Sequence, residues 1–189
     1  LIYGARTSSL IGFAAVLIAG ITGTALGLLA GVRGGASDHA LMRLADMQLA
    51  FPFILLAITV IGILGPSIRN LILVVGFANW AAYARVVRAE TLAVRERPYV
   101  EAARSLGLTV PRIVLRHILP NVSASLMVVA TFGIAGAILT EAGLSFLGLG
   151  VPVAIPSWGG MLAEGRQYVD TRYWLALFPG AALFLTVMA

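Results

Sequence analysis

The chain has 189 residues, 60% of them hydrophobic and only 11% charged, with a mean hydropathy of +0.97. A soluble domain carries roughly 25% charged residues, so this is an integral membrane protein with length for one membrane domain. All 13 basic residues are arginine and cysteine is absent. That excludes a P-loop, whose lysine must reach the nucleotide phosphates, and also excludes lysine Schiff bases, disulfides, thiolate nucleophiles and cysteine-based metal sites.

Taken in order, the chain first offers Thr7–Val32, which carries no charge and exceeds the roughly 20 apolar residues a membrane helix needs. Ala15, Ala19, Gly23, Gly27 and Gly31 recur every four residues, a small-residue face that lets a second backbone approach closely. No basic segment precedes Leu10–Val32, so it is not a signal peptide. Residues 33–46 form a polar loop with a helix leading back to the membrane. Met47–Ile68 is the second expected span, with Pro52 tolerated near its start. Gly65-Pro66-Ser67 predicts a tight turn. Asn70–Ala84 is a third span, extended by Arg85 and Arg88 reaching back to the interface. Ile118–Thr140 is the fourth. Glu141–Asp170 is rich in proline and glycine and predicts a short helix plus a loop folded on the protein. Tyr173–Ala189 is a fifth, shortened span. The chain begins at Leu1 and ends inside an apolar run, so a piece of a longer protein is expected, with a first helix and a C-terminal tail beyond it.

Between the third and fourth spans lies an arginine-bearing island, Glu101–Asn121. Tyr99, Ala102, Ala103 and Leu106 fall on one helical face, and Glu101, Arg104 and Ser105 on the other. Pro98 suits a first turn. Gly107 stops the helix in a left-handed conformation. Thr109 caps a second helix with Pro111 in its first turn, and Pro120 marks a break or kink. The expectation is helix, glycine elbow, helix, outside the bilayer core.

Five alternating spans collect nine arginines on the side of this island and four on the other, which places the island in the cytoplasm. The net charge of +5 then reads as topology-setting loop arginines rather than a nucleic-acid surface. Tyr3, Trp158, Tyr168, Tyr173 and Trp174 gather toward the outer interface. Glu141 ends the uncharged fourth run. It is read either as lining the exit of a solute chamber or an outer gate, or as a local carboxylate paired with Arg166 or Arg172. Asn79, inside the third run, is grouped with it as a pathway candidate.

Glu101-Ala102-Ala103, then Gly107, then Ile118-x-Pro120-Asn121 resembles the EAA signature of permease subunits of binding-protein-dependent ABC importers. Ala50-Phe51-Pro52, the run Leu144-Ser145-Phe146-Leu147-Gly148-Leu149-Gly150, and Pro156-Ser157-Trp158-Gly159 resemble the C-type subunit of the dipeptide, oligopeptide and nickel group. The resemblance covers essentially the whole chain. It implies an all-α type I importer transmembrane domain over residues 1–189, with a cytoplasmic EAA loop at 89–119. It implies a multi-pass protein of a bacterial or archaeal plasma membrane, surrounded by lipid. It also implies a second, B-type permease subunit as heterodimer partner, two cytoplasmic ATPase subunits holding ATP and magnesium, and an extracytoplasmic solute-binding protein. Glu101, Ala102, Ala103, Leu106, Gly107, Arg112 and Pro120 become the ATPase-coupling residues. This chain itself is expected to bind no cofactor, metal or nucleic acid and to catalyse nothing.

Two other classes compete. A secondary transporter or channel would use Glu141 as a proton carrier, but five spans without a visible inverted repeat are few for that class. A membrane-embedded enzyme lacks a constellation: His39 and His117 stand in separate loops, with no nucleophile or acid–base partner around them.

Overall fold

The computed structural model describes all 189 residues and consists of helices, turns and bends. Three helices are long and apolar enough to cross a membrane. They are α1 (Ile2–Arg33), α4 (Ile68–Arg95) and the continuous run Val110–Phe146, which comprises α6 (Val110–Ile113), a π-helical turn (Val114–Ile118) and α7 (Leu119–Phe146). A fourth crossing exists if the pair α2 (Gly35–Ala50) and α3 (Phe53–Leu64) is counted as one. The shorter elements are α5 (Pro98–Ser105), α8 (Trp158–Gly165), a 3₁₀ turn (Arg166–Tyr168), α9 (Val169–Arg172) and the 15-residue apolar helix α10 (Trp174–Met188).

The expected span Met47–Ile68 is not one helix. Phe51 (φ −84°, ψ 129°) and Pro52 (φ −61°, ψ 115°) are extended. A residue before proline is pushed out of the α region, and proline offers no N–H to continue the ladder. The third span is longer than Asn70–Ala84, because α4 runs on to Arg95 and takes in the first seven residues of the expected loop at 89–119. Arg85 and Arg88 do not reach for the interface alone. Arg85 pairs with Asp46 and Arg88 with Asp38, both acids on α2. The fourth span likewise starts at Val110 rather than Ile118. Pro120 does not break it. The π-helical turn just before Pro120, where the Leu119 N–H bonds to the Val114 carbonyl five residues back, widens the helix so that a missing donor is absorbed.

Two compact units make up the chain, one of residues 1–18, 52–78 and 131–189, the other of residues 19–51 and 79–130. In the first, Ile11 and Ala15 of α1 pack with Ala57 and Ile61 of α3, Leu71, Val74 and Val75 of α4, and Ala137 and Leu144 of α7. In the second, Val87 and Val94 of α4 pack with Val100, Ile113, Ile118 and Val122.

The small-residue face of α1 lies against α4. A Cβ at Gly23 would stand 2.5 Å from Tyr83 Cβ and 2.6 Å from the Trp80 carbonyl, one at Gly27 2.6 Å from the Ala84 carbonyl, and one at Gly31 2.7 Å from Thr91 Cβ. The contacted residues rise together along both helices, so α1 and α4 run parallel there. Only hydrogen on those α-carbons permits backbone contact this close, which is how helices gain dispersion energy where lipid removes the hydrophobic drive.

Candidate functional site

The elbow after α4 is built from local rules. Arg97 is extended (φ −74°, ψ 143°) and Pro98 occupies the first turn of α5, where its missing N–H has no partner to lose. Glu101 sits in that first turn and Arg104 in the last, each complementing the helix dipole. Gly107 adopts φ +80°. Its N–H bonds to the Arg104 carbonyl at 3.0 Å, and the Leu108 N–H reaches back to the Ala103 carbonyl at 3.2 Å. These two bonds are the Schellman stop, which satisfies the Arg104 and Ala103 carbonyls at the end of α5. Thr109 stands at the cap of α6 with Pro111 behind it, but its side chain accepts no capping bond.

The face that anchors α5 shares only Ala103 with the one the periodicity suggests. Val100 is fully buried and Ala103 nearly so, while Tyr99 is 41% and Leu106 80% exposed; Ala102 is exposed as well. In a helix of eight residues the stripes 99–102–106 and 100–103–107 are both apolar, and the pattern alone does not choose between them. Val100 wins because it meets Val87 and Val94 of α4 and Ile113 of α6. Tyr99, Ala102 and Leu106 are left as an outward apolar stripe, flanked by exposed Glu101, Arg104 and Arg112. The Tyr99 ring lies 6.1 Å from that of His117 at 46°, which links the stripe to the π-helical turn. Pro120 is exposed at the start of α7.

Asp38 and Arg88, in the same unit as this elbow, join α2 to α4 with two bonds, Arg88 Nη2 donating to Asp38 Oδ2 at 2.6 Å. Asp38 lies in the polar first half of α2, where two nitrogens of Arg88 donate to its carboxylate. Sequence spacing offers no sign of this pair, whose members are 50 residues apart.

Glu141 pairs with neither Arg166 nor Arg172. Its side chain is fully buried. Oε2 accepts from Ser8 Oγ at 2.8 Å and Oε1 from Ser145 Oγ at 2.7 Å. Each serine oxygen accepts in turn from a backbone amide, Ser8 from Trp158 N at 3.2 Å and Ser145 from Val151 N at 3.4 Å. One carboxylate thus ties down both ends of the segment 151–158 through two hydroxyls. That segment and α8 line a cavity of about 500 Å³, with Glu164 and Arg166 on its wall. The Arg166 guanidinium lies 5.0 Å over the Phe146 ring instead. Ser145, four residues after Glu141, is a partner that helical spacing signals; Ser8, 133 residues away, is not. Asn79 is an exposed residue of α4.

The family described as "Binding-protein-dependent transport system inner membrane component" matches residues 23–189. The dipeptide transport system permease protein DppC of Alkalihalophilus pseudofirmus is 44% identical over 188 residues, covering 100% of this chain and 62% of that protein. The di/tripeptide permease protein DppC of Pseudomonas aeruginosa is 42% identical over 189 residues, covering 100% of this chain and 62% of that one. The glutathione permease protein GsiD of Pectobacterium atrosepticum is also 42% identical, with 100% and 63% covered. The chain therefore spans less than two thirds of the length of these relatives. Among solved structures, the inward-facing MetNI methionine ABC transporter superposes with a TM-score of 0.79 at 20% identity, covering 100% of this chain and 89% of that one. An amino acid ABC transporter gives 0.70 at 16%, with 99% and 87% covered. At these identities the structures establish the fold, an ABC importer transmembrane domain. With the family matched from Gly23 to the last residue, this multi-pass chain belongs to the inner-membrane components of binding-protein-dependent transport systems.

Proposed function

We propose that this chain serves as one permease half of an ATP-driven importer of small peptides or a similar small solute, and that α5, Gly107 and α6 couple it to a cytoplasmic ATPase. The observation that carries the reading is the elbow itself. Its backbone is closed internally, its inner face is fixed by Val100, and its outer face presents Tyr99, Ala102 and Leu106 beside Glu101. An exposed apolar stripe rimmed by charge is what a docking partner covers. The peptide assignment is supported by the relatives, whose names refer to dipeptides, di/tripeptides and glutathione.

In this reading the elbow faces the cytoplasm and the segment 151–158 faces out. A second permease of the B type completes the pathway, two ATPase subunits hold ATP and magnesium, and an extracytoplasmic protein delivers solute. This chain binds no cofactor of its own. Closure of the ATPase dimer moves the docked elbow. The helical run that continues from Val110 passes that displacement on along the chain. Asn79 is the polar side chain assigned to the pathway.

Two substitutions test the coupling. A Cβ at Gly107 would have nothing within 4 Å, so Gly107→Val acts only through its positive φ, a strain of about 1–3 kcal/mol, which tilts α5 against α6. Glu101→Arg reverses the charge beside the stripe. Both variants should insert normally, and the assembled complex should lose ATPase subunits on purification or hydrolyse ATP without uptake. Wild-type recovery, hydrolysis and uptake in both would remove the elbow as the coupling element.

A further inference from the structure

In the unit of residues 19–51 and 79–130, the last turns of α1 face the start of the α6–π segment across a groove of about 430 Å³. Its walls are aliphatic, with Leu29 and Val32 on one side and Val110, Pro111 and Leu115 on the other. The one polar side chain on its lining is Arg33. Arg33 is exposed and has no ion-pair or hydrogen-bond partner, in contrast to Arg85 and Arg88. Arg112 and Arg116, beside Pro111 and Leu115 in sequence, are exposed and equally unpaired. No acid lines the groove.

We propose that this groove holds an anionic phospholipid of the adjacent leaflet, with acyl chain against the aliphatic walls and phosphate on Arg33. Three observations choose this occupant. The groove offers one cation and no acceptor or further donor, so an inserted peptide backbone would leave its own N–H and C=O groups unsatisfied, whereas hydrocarbon needs no partner. Its volume is only about that of one turn of a helix 10 Å across, too little to seat a partner helix. Arg33 ends the uncharged run Thr7–Val32, so the guanidinium sits at headgroup level, and the α1 wall of the groove leads from it back to Leu29 and Ala25 at acyl level. A basic group at the mouth of an apolar slot is the arrangement that selects an acidic headgroup.

The test uses the assembled transporter in nanodiscs containing phosphatidylglycerol or phosphatidylcholine, each with a photoactivatable group in one acyl chain, and maps the adducts by mass spectrometry. Phosphatidylglycerol should label residues 25–33 and 110–115 and phosphatidylcholine should label them weakly. Arg33→Gln should lower that phosphatidylglycerol labelling about fivefold, the effect of one basic residue at an anionic surface, and Arg33→Lys should restore it. Ala25→Trp, which fills the groove from an exposed position, should abolish labelling there while adducts elsewhere persist. Equal labelling by the two lipids, labelling indifferent to Arg33→Gln, or adducts replaced by a cross-link to a neighbouring subunit would each overturn the proposal.

Discussion

The ends of α5 and α7 carry the same local device and lead to opposite outcomes. Each helix stops at a glycine of positive φ, Gly107 at +80° and Gly148 at +78°. Each glycine N–H bonds three residues back, to Arg104 and to Ser145, both at 3.0 Å. The next N–H bonds five back, Leu108 to Ala103 at 3.2 Å and Leu149 to Leu144 at 2.8 Å. Past that point the regions part. The elbow after α5 is anchored by apolar contacts of Val100 and Leu108 and otherwise stands exposed. The segment after α7 is tied by two backbone amides to two serines and through them to one buried carboxylate. A helix stop fixes where a helix ends, and a separate, long-range anchor fixes the path of the chain beyond the stop. The elbow is left exposed, while the segment after α7 is held to its own unit.

The strongest way to break this contrast is Glu141→Leu. It removes the acceptor of two buried hydroxyls, and hydrogen bonds to a charged group are worth about 1.5–3 kcal/mol each. Part of that is offset because a buried carboxylate no longer has to be desolvated. A net loss of about 3 kcal/mol in the assembled complex is expected, together with release of residues 151–158. Thermal unfolding reads the first effect. Cysteine labelling at Val153, which is 87% exposed in a chain without native cysteine, sets a reference for the second: a cysteine placed at the buried Ser157 should change from slow to Val153-like labelling. Unchanged labelling at 157 would show that the carboxylate does not hold the segment.

How much of this was legible depends on how far each interaction reaches along the chain. Pro98, Gly107 and Pro111 act within one turn of themselves, so the elbow is readable residue by residue. Pro52 is local too, yet the apolar run around it reads as one continuous span, and the extended Phe51 turns it into a break. The length of α4 was hidden because Arg85 and Arg88 look like the end of a membrane segment until Asp46 and Asp38 are brought beside them from α2. Glu141 stands out as the one charge at the end of an apolar run, but its role depends on Ser8, and no spacing rule links residues 133 apart.

Milder changes sharpen the contrast. Ser8→Ala and Ser145→Ala each remove one bond to Glu141 and each leave one amide, of Trp158 or Val151, without its acceptor. About 1–2 kcal/mol is expected from each, with loosening at the 158 end in the first and at the 151 end in the second, readable by hydrogen exchange of those two amides. Gly107→Ala and Gly148→Ala form the matched pair. A Cβ at either position meets nothing within 4 Å, so each should cost about 1–2 kcal/mol through left-handed backbone strain alone. Equal losses of stability would confirm that the stop is the same at both ends. Loss of ATPase association should appear only at Gly107.

The smallest effect is expected where a carboxylate has a cation but also has water. Asp46 and Arg85 form an ion pair whose side chains are 53% and 48% exposed, whereas the Arg88–Asp38 pair is 32% and 12% exposed. Exposed pairs gain little, because solvent screens the attraction and both side chains give up rotamer freedom, and the usual worth is about 0–1 kcal/mol. Arg85→Gln, Asp46→Asn and the double change should therefore yield a coupling energy below about 1 kcal/mol in a double-mutant cycle on thermal stability. The same cycle on Arg88 and Asp38, two bonds to a largely buried acid, should exceed it. Together with Glu141→Leu, the two cycles rank three carboxylates by burial rather than by whether a cation is present, with the uncharged serine cage of Glu141 at the top. A coupling for Asp46 and Arg85 equal to that of Asp38 and Arg88 would reverse the order and show that the arginine, not burial, sets what each carboxylate contributes.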